Sequence, residues 1–145
     1  KFILKIVMRI MALDIGEKNI GVAISDKLNI LAIPHSIEKN DENFIEKISR
    51  LIEEKDIRKI IVGIPYNLKG KAGYQANKTF DFTQKLKEKI KVEIDYLDER
   101  FSTKISKNNL FQSKKAANAP VDKYAAAIIL ENYLNNEKYN IEKNK

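Results

Sequence analysis

One stretch, Ile10 to Asp26, limits what this chain can fold into. It reads IMALDIGEKNIGVAISD: an apolar run stops at Asp14, Gly16 and Gly21 bracket the polar turn Glu17-Lys18-Asn19, and a second apolar run follows from Val22 to Ile24. The pattern predicts a strand, a tight turn and a returning strand. Met8, Ile10 and Ala12 alternate with Met11, Leu13 and Ile15, so both faces of the first strand are apolar apart from Asp14 near its end. Such a strand belongs in the middle of a sheet covered on both sides. A carboxylate at its tip, beside glycine-freed backbone and a lysine, suits a metal ion held against a phosphate. An acid that merely opens a hairpin turn has the same signature.

The rest of the chain supplies partners for that strand. Ile30 to Ile37 carries Pro34 and His35, and a proline there marks an edge strand or a bulge. His35 reads as an ordinary edge-strand side chain. Asp41 or Asn43 can cap a helix in which Phe44, Ile48, Leu51 and Ile52 form an apolar stripe. Ile60 to Ile64 is a short apolar run that follows the helix, as a buried strand parallel to the first would.

Pro65 to Gly73, PYNLKGKAG, leads into a helix from about Tyr74 to Lys89. This basic, glycine-containing loop can hold phosphate through free N–H groups and Lys69 or Lys71, or it can be a plain connection. Val92 to Leu97 predicts a fifth strand running into Asp98-Glu99-Arg100-Phe101-Ser102-Thr103. Adjacent acids followed by an arginine and two hydroxyls combine metal ligands with phosphate donors, although a helix cap with a surface ion pair uses the same residues. After SKKAANA, Pro120 suits the first position of a closing helix through Tyr124 to Leu134, which puts Asp122 in its first turn. From Glu137 onward the lysine-rich tail is expected to fray.

Composition narrows the chemistry. The 145 residues fit one domain over 1–145, with Lys1 to Val7 an upstream extension before Met8 or a longer first strand. No cysteine is present and His35 is the only histidine, which excludes disulfides, thiolate sites, His-rich zinc sites and a His-based triad. Lys5 and Arg9 interrupt the apolar N-terminus, so neither a signal peptide nor a membrane span is expected. A net charge of +7 favours polyanionic partners. It comes mostly from lysines, since arginine occurs only at Arg9, Arg50, Arg58 and Arg100.

If the fourth and fifth strands run parallel to the first, their carboxyl ends share one sheet edge, where ligands gather in such architectures. Asp14, the Asp98-Glu99 pair and Asp122 then converge. Clustered carboxylates repel unless divalent cations hold them, and hard oxygen ligands select Mg²⁺ or Mn²⁺. Two such ions about 3.5–4 Å apart support phosphodiester cleavage with no need of histidine or cysteine.

In this order, IMALDIGEKNIGVAISD, IIVGIPYNLKGKAG, LDERFST and VDKYAAAIILENYL resemble the four motifs of the YqgF family, pre-16S rRNA nucleases also described as Holliday junction resolvases. The match runs from Met8 to Leu134. The resemblance implies an α/β ribonuclease H-like fold, a five-stranded mixed sheet built from a three-strand meander and two parallel strands, flanked by helices. It further implies a cytoplasmic bacterial nuclease that uses Mg²⁺ or Mn²⁺ and matures the 5′ end of 16S rRNA.

By position, the resemblance makes Asp14, Glu99 and Asp122 metal ligands and puts Lys18, Arg100 and Thr103 near the scissile phosphate. Alternation places Asp98 with Val92, Ile94 and Tyr96 on one face and Glu99 on the other, and the face of Asp14 stays open, so Asp98 is the alternative to Glu99. Two departures bear on substrate preference: Lys69 stands where the family often has an acid, and SKKAANAP is less basic than in many relatives. The expected partner is pre-16S rRNA or the pre-ribosome, with branched DNA as the alternative, bound by a monomer or weak homodimer. Two other classes compete: a nucleic-acid-binding module whose acids are structural, and a fragment of a sugar-kinase or actin-like ATPase suggested by Asp14-Ile15-Gly16. The second needs two such domains around a nucleotide, and the chain has length for one.

Overall fold

The first strand, β1 (Arg9–Ile15), lies in the middle of a sheet, as its two apolar faces require. The computed structural model describes residues 8–66, 69–99 and 123–143, with 137–143 described by backbone alone. After β1 come β2 (Asn19–Ser25), β3 (Ala32–Lys39), α1 (Phe44–Lys55), β4 (Ile57–Ile64), α2 (Tyr74–Lys89), β5 (Glu93–Asp98) and α3 (Ala125–Lys143). The sheet order is β3-β2-β1-β4-β5. Strands β1, β2 and β3 form the antiparallel meander, while β4 runs parallel to β1 and β5 parallel to β4. The carboxyl ends of β1, β4 and β5 therefore share one edge.

Each face of the sheet has its own core. Met11, Leu13, Val22, Ile60 and Val62 pack with Phe44 and Ile48 of α1 and Leu86 of α2. On the other face Ala12, Ala23, Ala32 and Ile61 pack under Ala126, Ile129 and Leu130 of α3. The small side chains on that second face let a helix backbone come close to the sheet. Its branched residues then fill the space between, each burial worth about 1.5–3 kcal/mol.

α3 runs antiparallel to β4. Ile129 lies over Gly63 near the end of β4, while Tyr133, one turn later, accepts a 2.7 Å hydrogen bond from Lys59 near its start. The N-terminal end of α3 accordingly approaches the edge that carries the ends of β1, β4 and β5.

Several element boundaries differ from the sequence-based expectation. β3 begins at Ala32 rather than Ile30, because the Asp26 carboxylate accepts the N–H groups of Ile30 (2.7 Å) and Leu31 (2.9 Å) and keeps both in the loop. β3 is an edge strand, and its register slips opposite Val22 and Ala23, whose partners Ser36 and Pro34 leave His35 at the irregularity. Asn43 caps α1 without a side-chain bond, while Asp41 accepts the Asn43 N–H at 2.9 Å. α3 starts at Ala125 after a turn at Lys123 and Tyr124, later than a Pro120 start. It continues to Lys143 through the segment expected to fray, where no glycine or proline opposes helix.

Candidate active site

Asp14 is partly buried near the end of β1, and its neighbours across the sheet have no side chains. It pairs with Gly21 on β2, and the pairing of Leu13 with Val62 puts it level with Gly63 on β4. Alternation from Ala12, which packs under α3, gives Asp14 the α3 face. Neither glycine puts a Cβ into the space beside Asp14, so that space goes to groups from elsewhere in the fold.

Glu99 fills part of that room. A Cβ on Gly63 would stand 3.0 Å from both Cγ and Cδ of Glu99, and 2.5 Å from Cδ1 of Ile129. The Glu99 side chain therefore lies over Gly63 on the α3 face, the face of Asp14. Leu97, two residues earlier, packs against the same α3 cluster. Tyr96 instead stacks edge-on against Phe80 of α2 at 5.3 Å between centroids. Asp98 alternates with Tyr96 and belongs to the opposite face. The structure thus puts Asp14 and Glu99 on the α3 face of the sheet and Asp98 on the opposite face.

The turn after Asp14 is held from three sides. Gly16 N–H donates to the Asn19 carbonyl at 2.9 Å, and a Cβ on Gly16 would come within 2.6 Å of that same oxygen, so the turn admits only glycine without a backbone shift. Asn40 grips the turn twice, its Nδ2 donating to Gly16 O at 2.8 Å and its backbone N–H to Lys18 O at 2.9 Å. From α2, Lys78 Nζ donates to Glu17 Oε1 at 2.7 Å. That hydrogen bond and the lysine charge hold the Glu17 carboxyl below its usual range, and the same contact holds Lys78 above its own. Lys18, between these anchors, is exposed.

Ile15, Gly16, Glu17 and Asn40 face Gln75, Lys78 and Thr79 of α2 across a small cleft. Lys69 and Lys71 are exposed in the loop that enters α2, with Gly70 at φ 78° supplying the left-handed bend. Arg100, Thr103 and Asp122 lie outside the described residues.

Among the described residues, no group of three or more His, Cys, Asp and Glu side chains stands together as a metal site. The donor chemistry of the Asp14 and Glu99 pair nonetheless fits a hard cation: two carboxylates share one face beside a glycine, with no thiolate or imidazole near to select a softer metal.

Sequence reasoning passed over Gly63, Asn40, Glu17 and Lys78. Gly63 had a usable signal, a lone glycine inside the apolar run IIVGI, which marks a close approach. The bonds of Asn40 and Lys78 span 24 and 61 residues and leave no local pattern.

The RuvX family, described as Holliday junction resolvase, matches residues 8–136. A protein of Sulfurihydrogenibium sp. (strain YO3AOP1) named "Putative pre-16S rRNA nuclease" is 41% identical over 137 residues, covering 92% of this chain and 94% of that protein. A protein of the same name from Halothermothrix orenii is 42% identical over 133 residues, covering 88% and 95%. In fold, the chain is similar to Thermus thermophilus RuvC solved with a Holliday junction substrate, at a TM-score of 0.60 and 10% identity over 90% of this chain and 96% of that one. The five-stranded sheet and its flanking helices thus have the ribonuclease H-like fold, and the chain belongs to the RuvX (YqgF) family.

Proposed function

We propose that this protein is a divalent-metal-dependent endonuclease that hydrolyses phosphodiester bonds in structured RNA, and that its substrate is pre-16S rRNA, matured at the 5′ end. The observation that carries the reading is the shared face of Asp14 and Glu99 beside Gly63, at the edge approached by the N-terminal end of α3. The net charge of +7 supports a polyanionic partner, and the relatives named for pre-16S rRNA cleavage favour that RNA.

In this reading Asp14 and Glu99, joined by Asp122 from the segment before α3, hold two Mg²⁺ or Mn²⁺ ions. When bound, such ions lower the pKa of a coordinated water and stabilise the leaving oxygen. The chain's other residues position the substrate. Lys18 contacts the phosphate backbone from a turn that Gly16, Asn40 and Lys78 hold still. Lys69 and Lys71 attract the neighbouring backbone, and Arg100 and Thr103 donate hydrogen bonds to the scissile phosphate. α3 shields one side of the carboxylates from bulk water. The protein works away from membranes, in the cytoplasm, as a monomer or weak homodimer; no helix among the described residues is long and apolar enough to cross a membrane.

A second reading keeps the chemistry and changes the substrate to four-way DNA junctions, which the family's description as Holliday junction resolvase favours. Cleavage of a 16S precursor and of a synthetic four-way junction, measured side by side in Mn²⁺, separates the two. We expect precursor cleavage to dominate; junction cleavage alone would select the second reading, and cleavage of neither would leave a binding module.

A further inference from the structure

We propose that Tyr74 is a stacking platform for an unpaired nucleobase on the α2 side of the sheet edge that carries the carboxylates, a contact that rests on the nuclease reading above and adds a substrate feature to it. Tyr74 opens α2 and is 68% exposed, while the residues α2 buries are Ala76, Thr79, Thr83 and Leu86. The fold does not use this ring for packing, yet the ring is not left loose. Lys78, one turn along, places its ammonium 4.6 Å from the ring centroid and at the same time binds Glu17. Glu17 belongs to the turn that follows Asp14. The ring is therefore oriented by a lysine whose other partner is fixed to the strand carrying the central carboxylate.

A cation over one face of an aromatic ring leaves the other face available for a π-system. Lys69 and Lys71, exposed in the loop just before Tyr74, supply positive charge at the same end of α2. Exposed aromatics interleaved with lysines bind single-stranded nucleic acid by stacking bases while the cations track the backbone. A base inside a duplex is already stacked on its neighbours and has no free face to offer. The geometry thus fits a substrate with an unpaired nucleotide that reaches the α2 side of this edge, and distinguishes it from continuous duplex.

The test measures binding in an Asp14→Asn background, so that cleavage does not enter. The probes are an RNA hairpin with a single-stranded 5′ extension and a blunt RNA duplex of equal length. Tyr74→Leu is expected to weaken binding of the extended hairpin by roughly 5- to 150-fold and to leave the blunt duplex unchanged. Tyr74→Phe should bind like the parent. The dependence of binding on salt should also stay the same, because no phosphate contact is lost. Undiminished binding of the extended hairpin by Tyr74→Leu, or equal weakening on both probes, would overturn the assignment while leaving the nuclease reading intact. Failure of wild type as well as the Asp14→Asn parent to bind either RNA would overturn both.

Discussion

Glu99 lies over Gly63, with its Cγ and Cδ each 3.0 Å from where a Cβ on that glycine would be. The glycine is a socket for the glutamate, and a methyl group there must displace it. Ile129 Cδ1, at 2.5 Å from the same point, must also shift, and it does so within a fully buried core. Gly63→Ala should therefore cost about 1–3 kcal/mol of stability through overpacking. Cleavage should fall further, by about 10²-fold, because a displaced carboxylate loses its alignment. Urea melts and initial cleavage rates on one preparation check the two effects separately.

Asp98 and Glu99 are adjacent in sequence and lie on opposite faces of the sheet. Glu99→Gln is expected to abolish metal-dependent cleavage, whereas Asp98→Asn should retain activity within about one order of magnitude, the lower end of what loss of a residue outside the ligand shell costs. The comparison needs only rates at saturating Mn²⁺. Equal loss in both variants would mean that the face assignment does not govern the chemistry.

The grip of Asn40 on the Gly16–Lys18 turn predicts coupling between Asn40 and Lys18. Asn40→Ala should raise KM for RNA more than it lowers kcat. In a Lys18→Ala background the same change should have almost no further effect, giving an interaction energy of about 0.5–3 kcal/mol in the double-mutant cycle. Additive effects would show that Asn40 acts elsewhere.

At the opposite end of α3, Lys59 ties the helix to the sheet. Its ammonium donates to Tyr133 Oη at 2.7 Å and pairs with Glu93 at 3.0 Å and Asp95 at 3.6 Å. Partial burial opposes the charge, but the hydrogen bonds to Tyr133 and Glu93 outweigh it and raise the lysine pKa above its ordinary 10.5. A raised pKa stabilises the fold fully below the unfolded value and loses that contribution as pH climbs through the folded one. Lys59→Met, which removes the hydrogen bond to Tyr133 Oη and the pairing with Glu93 and Asp95, should cost about 1–3 kcal/mol. The difference from wild type should be flat from about pH 6 to 9 and shrink only in the alkaline range above the ordinary lysine value. Denaturant titrations across that range test the window.

Much of this architecture is legible in the sequence because β1 is apolar on both faces and ends in Asp14, which demands flanking strands and two helical layers. The parallel placement of β4 and β5 follows from the intervening helices. The phase of the alternation was not legible. A period of two says that Asp98 and Glu99 point to opposite sides, and only the alanines Ala12, Ala23 and Ala32, brought side by side by pairing, show which side α3 covers. Local chemistry sets the boundaries that periodicity does not, as where Asp26 bonds Ile30 and Leu31 and keeps them out of β3. Long-range bonds such as Lys78 to Glu17 have no sequence signature, so the fixation of the turn emerges only from the fold.

The most direct test of the account is the cleavage of a 16S precursor by wild type and by Asp14→Asn across a Mn²⁺ titration, with RNA binding followed in parallel. Wild-type cleavage should rise with Mn²⁺, and Asp14→Asn should lose more than the roughly 10–100-fold typical of residues outside a metal's ligand shell while still binding RNA. Equal cleavage by the two proteins at every Mn²⁺ concentration would contradict it.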